Sequence, residues 1–345
     1  MTEQFVSPHE QPPVDERVRF RRILARVVEE RKASPDWRPV EGILHDLGDG
    51  APAVEASGIT KAPPRIGVIL VSGVLWECVS DAALPFGSGL HGLPDECNSH
   101  DRSYLADYDY LKEAGVNAEV LEVVRVQGIA TSERNAGRVI EALERWRHVE
   151  FPVVIVSYSK GVPDTLAALL ELGDRTPSNL RAVVSVAGVV SGSPLGDWLD
   201  TFRFWISLLP HPCRCKRVDK DFLYSITRRR CRPWLKDNWA KMPKHVSFSS
   251  LAVFEEPQDM HWFLRLLYAR LVKEAPRNDS HVPIEDQVFP GGRLLGYVRA
   301  DHWSCILPFN RSSRSFWNTL LRHNNAFPRE IVFEAILRYL GEFVV

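Results

Sequence analysis

The order in which short apolar runs and amphipathic segments follow one another constrains the fold most. "IGVILVSG" begins at Ile66 and "PVVIVSYS" at Pro152, and polar residues follow each run. β-Branched runs of this length are typical of buried parallel strands. Between the two runs, "SERNAGRVIEALERW" opens at Ser132 and places Val139 and Leu143 on one helical face. Strand alternating with helix predicts an α/β protein whose parallel sheet carries helices on both faces.

The same pattern divides the chain of 345 residues. Further strands are predicted in "AEVLEV", "LRAVVSVAGVVSG", "VSFSSLAVFE" and "GRLLGYVRA", with helices over residues 14–32, in "YLADYDYLKEAG", and over residues 330–340. After Ser193 the alternation stops in a stretch rich in Trp, Arg and Cys. We therefore predict an N-terminal helical extension (1–60), a first half of the core (61–193), a helical cap or lid insertion (194–245) and a second half of the core (246–345).

Composition excludes some classes of function. Lys plus Arg number 43 and Asp plus Glu 44, so the net charge of −1 argues against general nucleic-acid binding. No apolar run reaches the roughly 18–20 residues that span a bilayer, so we expect no integral membrane segment. The polar start "MTEQFVSPHEQPPVDERVRF" lacks a signal-peptide core, and the six cysteines are scattered. We therefore expect a cytoplasmic protein with free thiols.

The stretch "SYSKG" is the strongest functional motif. It lies where the apolar run "VVIV" ends and the helical pattern "PDTLAAL" begins, and it is close to G-x-S-x-G. A sharp turn there exposes a serine and directs a helix N-terminus, which favours negative charge, at whatever the serine attacks. Such a strained turn requires small residues two positions before and after it; Gly161 supplies one, and Ser157 stands at the other. Ser159 is therefore the candidate nucleophile.

A nucleophilic serine needs a base and an acid that orients the base. In folds with this turn the acid follows the serine and the histidine comes last. Of the 11 histidines, His302 in "VRADHWS" follows a late predicted strand and is the candidate base. Asp279 lies in the turn-forming "RNDSHVP" and is the candidate acid, with Glu255 and Glu256 after the preceding strand as alternatives.

An oxyanion hole should complete this site. The backbone N–H of Lys160, directly after the nucleophile, is one expected donor. The other should come from "VSGVLWE", where Gly73 allows a tight turn and either Val74 or Leu75 can direct an N–H inward. Three aromatic residues adjoin these groups and are the candidates for substrate binding: Trp76, Tyr158 and Trp303.

These motifs together resemble the α/β-hydrolase fold family, over roughly residues 62–345. The matching stretches are "SYSKG", "NDSHVP", "ADHW" and "SVAG", and the pattern is most similar to uncharacterised lipase- or esterase-like members with a G-Y-S-K-G turn. The resemblance implies a mostly parallel, eight-stranded sheet, a Ser-Asp-His triad and a lid-like insertion. Two departures matter: Ser157 replaces a glycine, and Ser72-Gly73 replaces the common His-Gly.

We therefore expect a serine hydrolase that cleaves a carboxylic ester and has a small-molecule ester or acyl compound as its substrate. No cofactor or metal is expected. Thioesterase, amidase and acyltransferase chemistry use the same groups and stay open, because the pocket selects the leaving group and the acceptor. A catalytically silent binding protein of the same fold is the alternative from another class, and the crowded position at Ser157 favours it slightly.

Two clusters of residues in the insertion could bind a metal or an acidic ligand. His211, Cys213, Cys215 and Cys231 carry zinc-binding atoms, but C-x-C is tighter than common zinc spacings, so structural thiols are the preferred interpretation. The basic run "TRRRCRPWLK" can attract an acidic substrate, a phospholipid head group or a partner, or it can form a solvated helix face, which is the preferred interpretation.

Overall fold

Seven strands form one sheet in the computed structural model, which describes residues 11–34, 37–45, 65–73, 117–124, 126–203, 219, 221–305 and 327–342. The strands are β1 (Val14–Asp15), β2 (Ile66–Val71), β3 (Ala118–Val124), β4 (Val153–Tyr158), β5 (Leu180–Val186), β6 (Ser247–Phe254) and β7 (Arg293–Arg299). Their order is β1-β7-β6-β5-β4-β2-β3, and every neighbouring pair is parallel. The predicted α/β class with a parallel sheet is confirmed.

The number of strands differs from the prediction. The resemblance implied eight, whereas the part of the chain that the structure describes contains seven. Six of the seven are the apolar runs visible in the sequence. The seventh, β1, consists of two exposed residues that pair with Arg293 and Leu294 at the sheet edge. A two-residue strand is too short to show a periodicity, and the sequence had placed Val14 in the following helix.

Helices cover both faces of this sheet. They are α1 (Arg17–Glu30), α2 (Ser132–Arg145), α3 (Gly161–Leu172), α4 (Pro194–Thr201), α5 (Arg228–Asn238), α6 (Trp262–Leu271) and α7 (Arg329–Gly341). Short 3-10 helices lie at Val40–Gly42, Gly173–Arg175, Tyr224–Ile226, Trp239–Lys241 and Ile284–Asp286. The helix predicted in "YLADYDYLKEAG" falls outside the described residues. Among the residues that are described, no helix is both long and apolar enough to cross a bilayer.

The core has one layer on each face because side chains alternate along the strands. On β4, Val154 and Val156 pack with residues of α1 and α7, whereas Val153 and Ile155 pack with α2 and α3. All four valine and isoleucine side chains are buried. Burial on both sides explains why the parallel strands appear as continuous apolar runs in the sequence.

Parallel strands bring their carboxyl ends to one edge, where the functional candidates meet. Gly73 follows β2, Ser159 follows β4 and His302 follows β7. Between β5 and β6, the described residues hold α4 and α5 and no strand. Ligand sites of open α/β sheets form in the crevice at this carboxyl edge.

Candidate active site

Ser159 occupies a strained turn between β4 and α3. Its φ of +52° lies in the left-handed region, which is costly for a residue with a side chain. The turn is held on both sides: the Ser159 N–H donates to the Val186 carbonyl at 3.3 Å, and its own carbonyl accepts from the N–H groups of Val162 and Val189. Strain of this kind persists where surrounding hydrogen bonds enforce it, and it often marks a functional residue.

The residues two positions before and after Ser159 differ in the space available for a side chain. A Cβ on Gly161 would lie 2.5 Å from the carbonyl oxygens of Val71 and Ser72, so a side chain there is excluded. Ser157 is fully buried, and its hydroxyl lies 2.8 Å from Thr165 Oγ1. Since Thr165 Oγ1 donates its single proton to the Gly161 carbonyl at 2.8 Å, the Ser157 hydroxyl donates to Thr165. Ser157 therefore fits beneath the turn and ties β4 to α3.

Asp279 and His302 are bound to each other through side chain and backbone. Asp279 Oδ2 lies 2.7 Å from His302 Nδ1, and the His302 N–H donates to the Asp279 carbonyl at 2.9 Å. Asp279 Oδ1 accepts the N–H groups of His281 and Val282, and Gln287 Nε2 lies 3.3 Å from Oδ2. The acidic side chain is fully buried, so these donors replace its hydration.

His302 also reaches the candidate nucleophile. Its Nε2 lies 2.9 Å from Ser159 Oγ, so carboxylate, imidazole and hydroxyl form one continuous hydrogen-bonded chain. With Asp279 accepting from Nδ1, the lone pair of Nε2 is left to accept the proton of the serine. Chemically, this arrangement can deprotonate a hydroxyl as it attacks a carbonyl carbon. The structure thus brings together Ser159, Asp279 and His302.

The donor groups for an oxyanion are described only in part. Lys160 is the N-cap of α3, where a helix leaves N–H groups without intrahelical acceptors. The predicted second donors, Val74 and Leu75, lie outside the described residues, as does Trp76. Gly73 is described, and a Cβ there would lie 2.9 Å from Ser159 Cβ and 3.3 Å from its Oγ. The backbone after β2 therefore passes directly beside the candidate nucleophile.

The Lys160 side chain points into the protein. It is 1% exposed, and its Nζ lies 2.7 Å and 2.9 Å from the two carboxylate oxygens of Asp164. Asn135 Nδ2 donates to the same carboxylate at 2.7 Å. Burial raises the pKa of Asp164 above its ordinary value, although the Lys160 charge and these hydrogen bonds oppose the rise. The pair joins the first turn of α3 to α2.

The two described aromatic candidates differ in their accessibility. Tyr158 is 7% exposed, and its hydroxyl donates to the His302 carbonyl. Tyr158 therefore holds the loop that carries His302, and too little of its side chain is exposed to bind a substrate. Trp303 is part-buried, and its ring stacks on that of Phe263 with centroids 5.9 Å apart. Phe263 is itself 40% exposed, so this pair borders the site from the solvent side.

The alternative acids do not contact the base in the structure. Glu255 is buried at the end of β6, and its Oε1 accepts the N–H of Glu256, which is exposed. Burial raises the pKa of Glu255 to about 7. The hydrogen bond from Glu256 lowers this pKa, and the charges of Asp259 and Asp301 raise it. Asp301 itself accepts the N–H groups of Trp303 and Ser304 and so braces the histidine loop.

The raised pKa of Glu255 predicts a pH-dependent effect on stability. Since the folded pKa is about 7 and the ordinary value is 4.5, the free energy of unfolding falls as pH rises through this interval. Glu255→Gln removes the ionisation, so we expect a melting temperature several degrees higher than that of the wild type at pH 8 and similar at pH 4. Calorimetry at both pH values checks this. The exposed neighbour provides the control: Glu256→Gln should give no such difference.

Two residues of this site, Gln287 and Ser280, carried no role in the sequence prediction. Gln287 Nε2 donates to the carbonyls of Val253 and Val282 at 2.8 Å and 2.9 Å, and so fixes the amide beside Asp279. His281 lies against His302, and the Ser280 hydroxyl lies 2.8 Å from His281 Nδ1. Nothing in the local pattern around Gln287 indicates this role, because its partners are distant in sequence.

One group among the described residues has the spacing of metal ligands. Asp279, His281 and His302 each offer an atom within 4.8 Å of the others. However, both Asp279 oxygens already accept hydrogen bonds, and the two imidazole rings are stacked, with an interplanar angle of 13°. Stacked rings direct their lone pairs side by side, whereas a bound ion needs converging donors. These residues therefore fit a metal poorly.

The basic run of the insertion is paired with carboxylates. Arg228 and Arg232 bind Asp286, Arg229 binds Asp200 and Arg230 binds Glu133. Arg229 and Arg232 keep 61% and 47% of their side chains exposed, as a solvated face predicts, whereas Arg228 and Arg230 are only 19% and 10% exposed. Of the four candidate zinc ligands, His211, Cys213 and Cys215 lie outside the described residues. Burial raises the pKa of the Cys231 thiol to about 11, so it stays protonated at neutral pH.

The structure has counterparts among solved proteins. A metagenomic carboxyl esterase superimposes with a TM-score of 0.75 and 28% identity, over 99% of this chain and 96% of that one. The mature lipase of Bacillus licheniformis (TM-score 0.47, 18% identity, 81% and 96% covered) and lipase 1 from Pelosinus fermentans (0.49, 10%, 82% and 100%) resemble it more distantly.

Comparison of the sequence alone gave no such relatives: no family model and no curated protein matches it. The assignment of the fold therefore rests on the structural likeness to the carboxyl esterase, which extends over nearly the whole of both chains. Together with the parallel sheet and the strained turn at Ser159, this likeness shows that the chain has the α/β-hydrolase fold and resembles an esterase of that fold.

Proposed function

We propose that the protein is a serine hydrolase that cleaves carboxylic esters. The observation that carries this proposal is the unbroken chain of hydrogen bonds from Asp279 through His302 to Ser159, at 2.7 Å and 2.9 Å. The structural likeness to a carboxyl esterase supports an ester as the substrate class. Ser157 fits beneath the turn without displacing Ser159, which weakens the alternative of a catalytically silent binding protein.

The reaction begins when Ser159 Oγ attacks the carbonyl carbon of the ester while its proton passes to His302 Nε2. Asp279 holds Nδ1 and stabilises the imidazolium that results. The carbonyl oxygen becomes an oxyanion, which the Lys160 N–H at the start of α3 stabilises, with Val74 or Leu75 as the second backbone donor. His302 then gives its proton to the departing alkoxide, and an alcohol and an acyl-enzyme remain.

Water completes the reaction. His302 takes a proton from a water molecule as its oxygen attacks the acyl carbon, and a second tetrahedral oxyanion forms at the same donors. When this collapses, the proton returns from His302 to Ser159 Oγ and a carboxylic acid leaves. A thioester would follow the same steps with a thiolate leaving group, and an acyltransferase would use another alcohol in place of water.

We also propose the division of the chain given above, with residues 194–245 as a cap over the site. Contacts between this insertion and the turn that holds Asp279 support it. Ser193, which directly precedes the insertion and is the N-cap of α4, donates through its hydroxyl to the His281 carbonyl. Arg228 and Arg232 of α5 bind Asp286, seven residues after the proposed acid. Movement of the insertion would therefore be transmitted to this turn.

Hydrolysis of p-nitrophenyl esters with acyl chains from C2 to C16 tests the proposed function. The wild type should hydrolyse at least the short esters. Ser159→Ala should lower kcat by about 10⁵- to 10⁶-fold, because the whole triad acts through Ser159 Oγ. A folded wild type that cleaves no ester in the series would contradict the proposal. Equal rates for the wild type and Ser159→Ala would contradict the role of Ser159.

The close approach of Gly73 predicts a second large loss. In Gly73→Ala the added methyl lies 2.9 Å from Ser159 Cβ and 3.2 Å from a ring carbon of Tyr158, so the nucleophile must move. Displacements approaching 1 Å at reacting atoms cost about 10²-fold, and we expect a loss in kcat/KM of this order. Initial rates on a short ester, with circular dichroism to verify folding, measure the effect.

Gly137 on α2 provides the matched control. A Cβ there meets no atom within 4 Å, and the residue is exposed on the helix. Gly137→Ala should leave kcat/KM unchanged and raise the stability slightly, because alanine favours a helix. If Gly73→Ala were as active as Gly137→Ala, the segment after β2 would not confine the nucleophile.

A further inference from the structure

A second histidine lies flat against His302. The rings of His281 and His302 are stacked, with centroids 4.3 Å apart and an interplanar angle of 13°. Tyr158 contacts the same imidazole at 5.1 Å with a tilt of 32°. The proposed mechanism uses neither ring. His302 becomes positively charged when it takes the proton of Ser159, so a ring in face contact with it experiences that charge.

His281 is held in this place by a strained neighbour. Ser280 is buried with a φ of +83°, a conformation that glycine adopts freely and that costs strain in serine. The Ser280 hydroxyl lies 2.8 Å from His281 Nδ1, and its N–H donates to Asn278 Oδ1 at 2.9 Å. The hydrogen bond between the Ser280 hydroxyl and His281 Nδ1, which glycine could not form, explains why a serine occupies a position suited to glycine.

The charge state of His281 follows from its surroundings. Burial lowers its pKa well below the ordinary value, the charge of His302 lowers it further, and Asp301 opposes both. These surroundings therefore favour the neutral form of His281. Besides Asp301, the titratable groups that the described residues place around the two rings are Asp279, Tyr158 and the Cys305 thiol, which donates to the His302 carbonyl at 3.3 Å.

We propose that His281 is a positioning residue whose neutral ring, held by the Ser280 hydroxyl, supports the face of the His302 imidazolium. This inference rests on the proposed function, since it concerns the proton that His302 takes from Ser159. No bond to His281 forms or breaks. The contact keeps the His302 ring in the plane that joins Asp279 to Ser159, and the aromatic face attracts the charge that appears there.

The contact with His281 should raise kcat by about threefold to tenfold. This factor corresponds to the interaction energy of a cation with an aromatic face in a partly desolvated site. The contact should also shift the proton affinity of His302, because only the charged form gains from it. An aromatic residue without nitrogen preserves the effect, and an aliphatic residue of similar bulk does not. His281→Phe and His281→Leu are therefore a matched pair.

The pH dependence of kcat/KM on a short ester distinguishes the two variants, since its acid limb reports His302 in the free enzyme. We expect His281→Phe to keep the apparent pKa of this limb within about 0.3 units of the wild type. His281→Leu should lower it by about half a unit to one unit, which corresponds to the same threefold-to-tenfold change, and should lower kcat at nearly constant KM. Identical behaviour of the two variants would overturn the proposal.

Ser280→Gly supplies an independent arm. It removes the backbone strain and releases His281, so we expect a melting temperature higher by roughly 1–4 °C together with a kcat lowered as in His281→Leu. Ser280→Ala keeps the strained backbone but lacks the hydroxyl. It should lose activity to the same extent without gaining stability. If Ser280→Gly retained full activity, the hydroxyl would not position His281.

Histidine NMR titration of the full chain separates failure of this inference from failure of the proposed function. With ¹³C-labelled histidine, the pKa of His302 is measured without turnover. If the wild type cleaved no ester, the proposed function would fail. The NMR comparison of His281→Phe with His281→Leu would still show whether the stack favours the imidazolium, and equal pKa values for His302 in both would overturn it.

Discussion

Asp279→Asn should fold normally and lose about 10³–10⁴ of its kcat, because an amide at this position reverses the tautomer of His302. Two backbone N–H groups point at Oδ1, so the amide oxygen of the variant must occupy that place. Its NH₂ then faces His302 Nδ1. Nδ1 becomes an acceptor, the ring proton moves to Nε2, and Nε2 can no longer accept the proton of Ser159.

Steady-state kinetics on a short ester, with thermal unfolding to verify the fold, measure this loss. Glu255→Gln and Glu256→Gln are the matched controls, because both carboxylates were alternative acids in the sequence and neither contacts His302 in the structure. Each should keep kcat within about twofold, as expected for changes outside the reacting groups. If Asp279→Asn stayed active and one of the two controls lost about 10³-fold in kcat, the glutamate changed in that control, and not Asp279, would be the acid that orients His302.

Lys160→Met should destabilise the protein by about 3–5 kcal/mol, the cost of leaving one charge of a buried pair without its partner. Lys160 and Asp164 are each 1% exposed, and Asn135 is the neighbour that would remain on the carboxylate. Because the Lys160 N–H belongs to the backbone, the proposed oxyanion donor is unchanged. The variant should therefore retain kcat within about tenfold where it is folded, and urea unfolding measures the loss of stability.

Removing both charges should restore most of this loss. In Lys160→Met with Asp164→Leu no buried ion remains, and such replacements are often neutral or stabilising. Lys32→Met is the surface control: the Lys32–Glu29 pair has side chains 59% and 69% exposed, and its loss should cost less than about 1 kcal/mol. If Lys160→Met cost no more than Lys32→Met, the buried pair would contribute nothing to the turn.

The elements that the sequence predicted correctly are those whose signal is local. Continuous β-branched runs such as residues 66–71 and 153–158 appear as buried strands of a parallel sheet, as burial on both faces requires. The order of serine, acid and histidine could be predicted because parallel strands bring their carboxyl ends together. That geometry places His302 after β7 within hydrogen-bond reach of Ser159 after β4.

What the sequence could not predict depends on partners far along the chain. The glycine-to-serine departure at Ser157 appeared to crowd the turn, and its compatibility depends on Thr165 Oγ1. Gln287 beside Asp279 carries no motif. The ion pair between Arg232 of α5 and Asp286 could not be predicted, because the two residues lie 54 positions apart in the sequence. The count of eight strands came from resemblance, and β1 is too short to be detected.

We expect Ser159 to act as a nucleophile that His302 and Asp279 activate. Reaction with a fluorophosphonate probe, followed by mass spectrometry of the digested protein, tests it most directly, because the probe reacts with an activated serine whatever the natural ester is. One adduct per chain, located on Ser159 and lost in both Ser159→Ala and His302→Ala, is the predicted result. A folded wild type without an adduct, or an adduct on another serine, would contradict the claim.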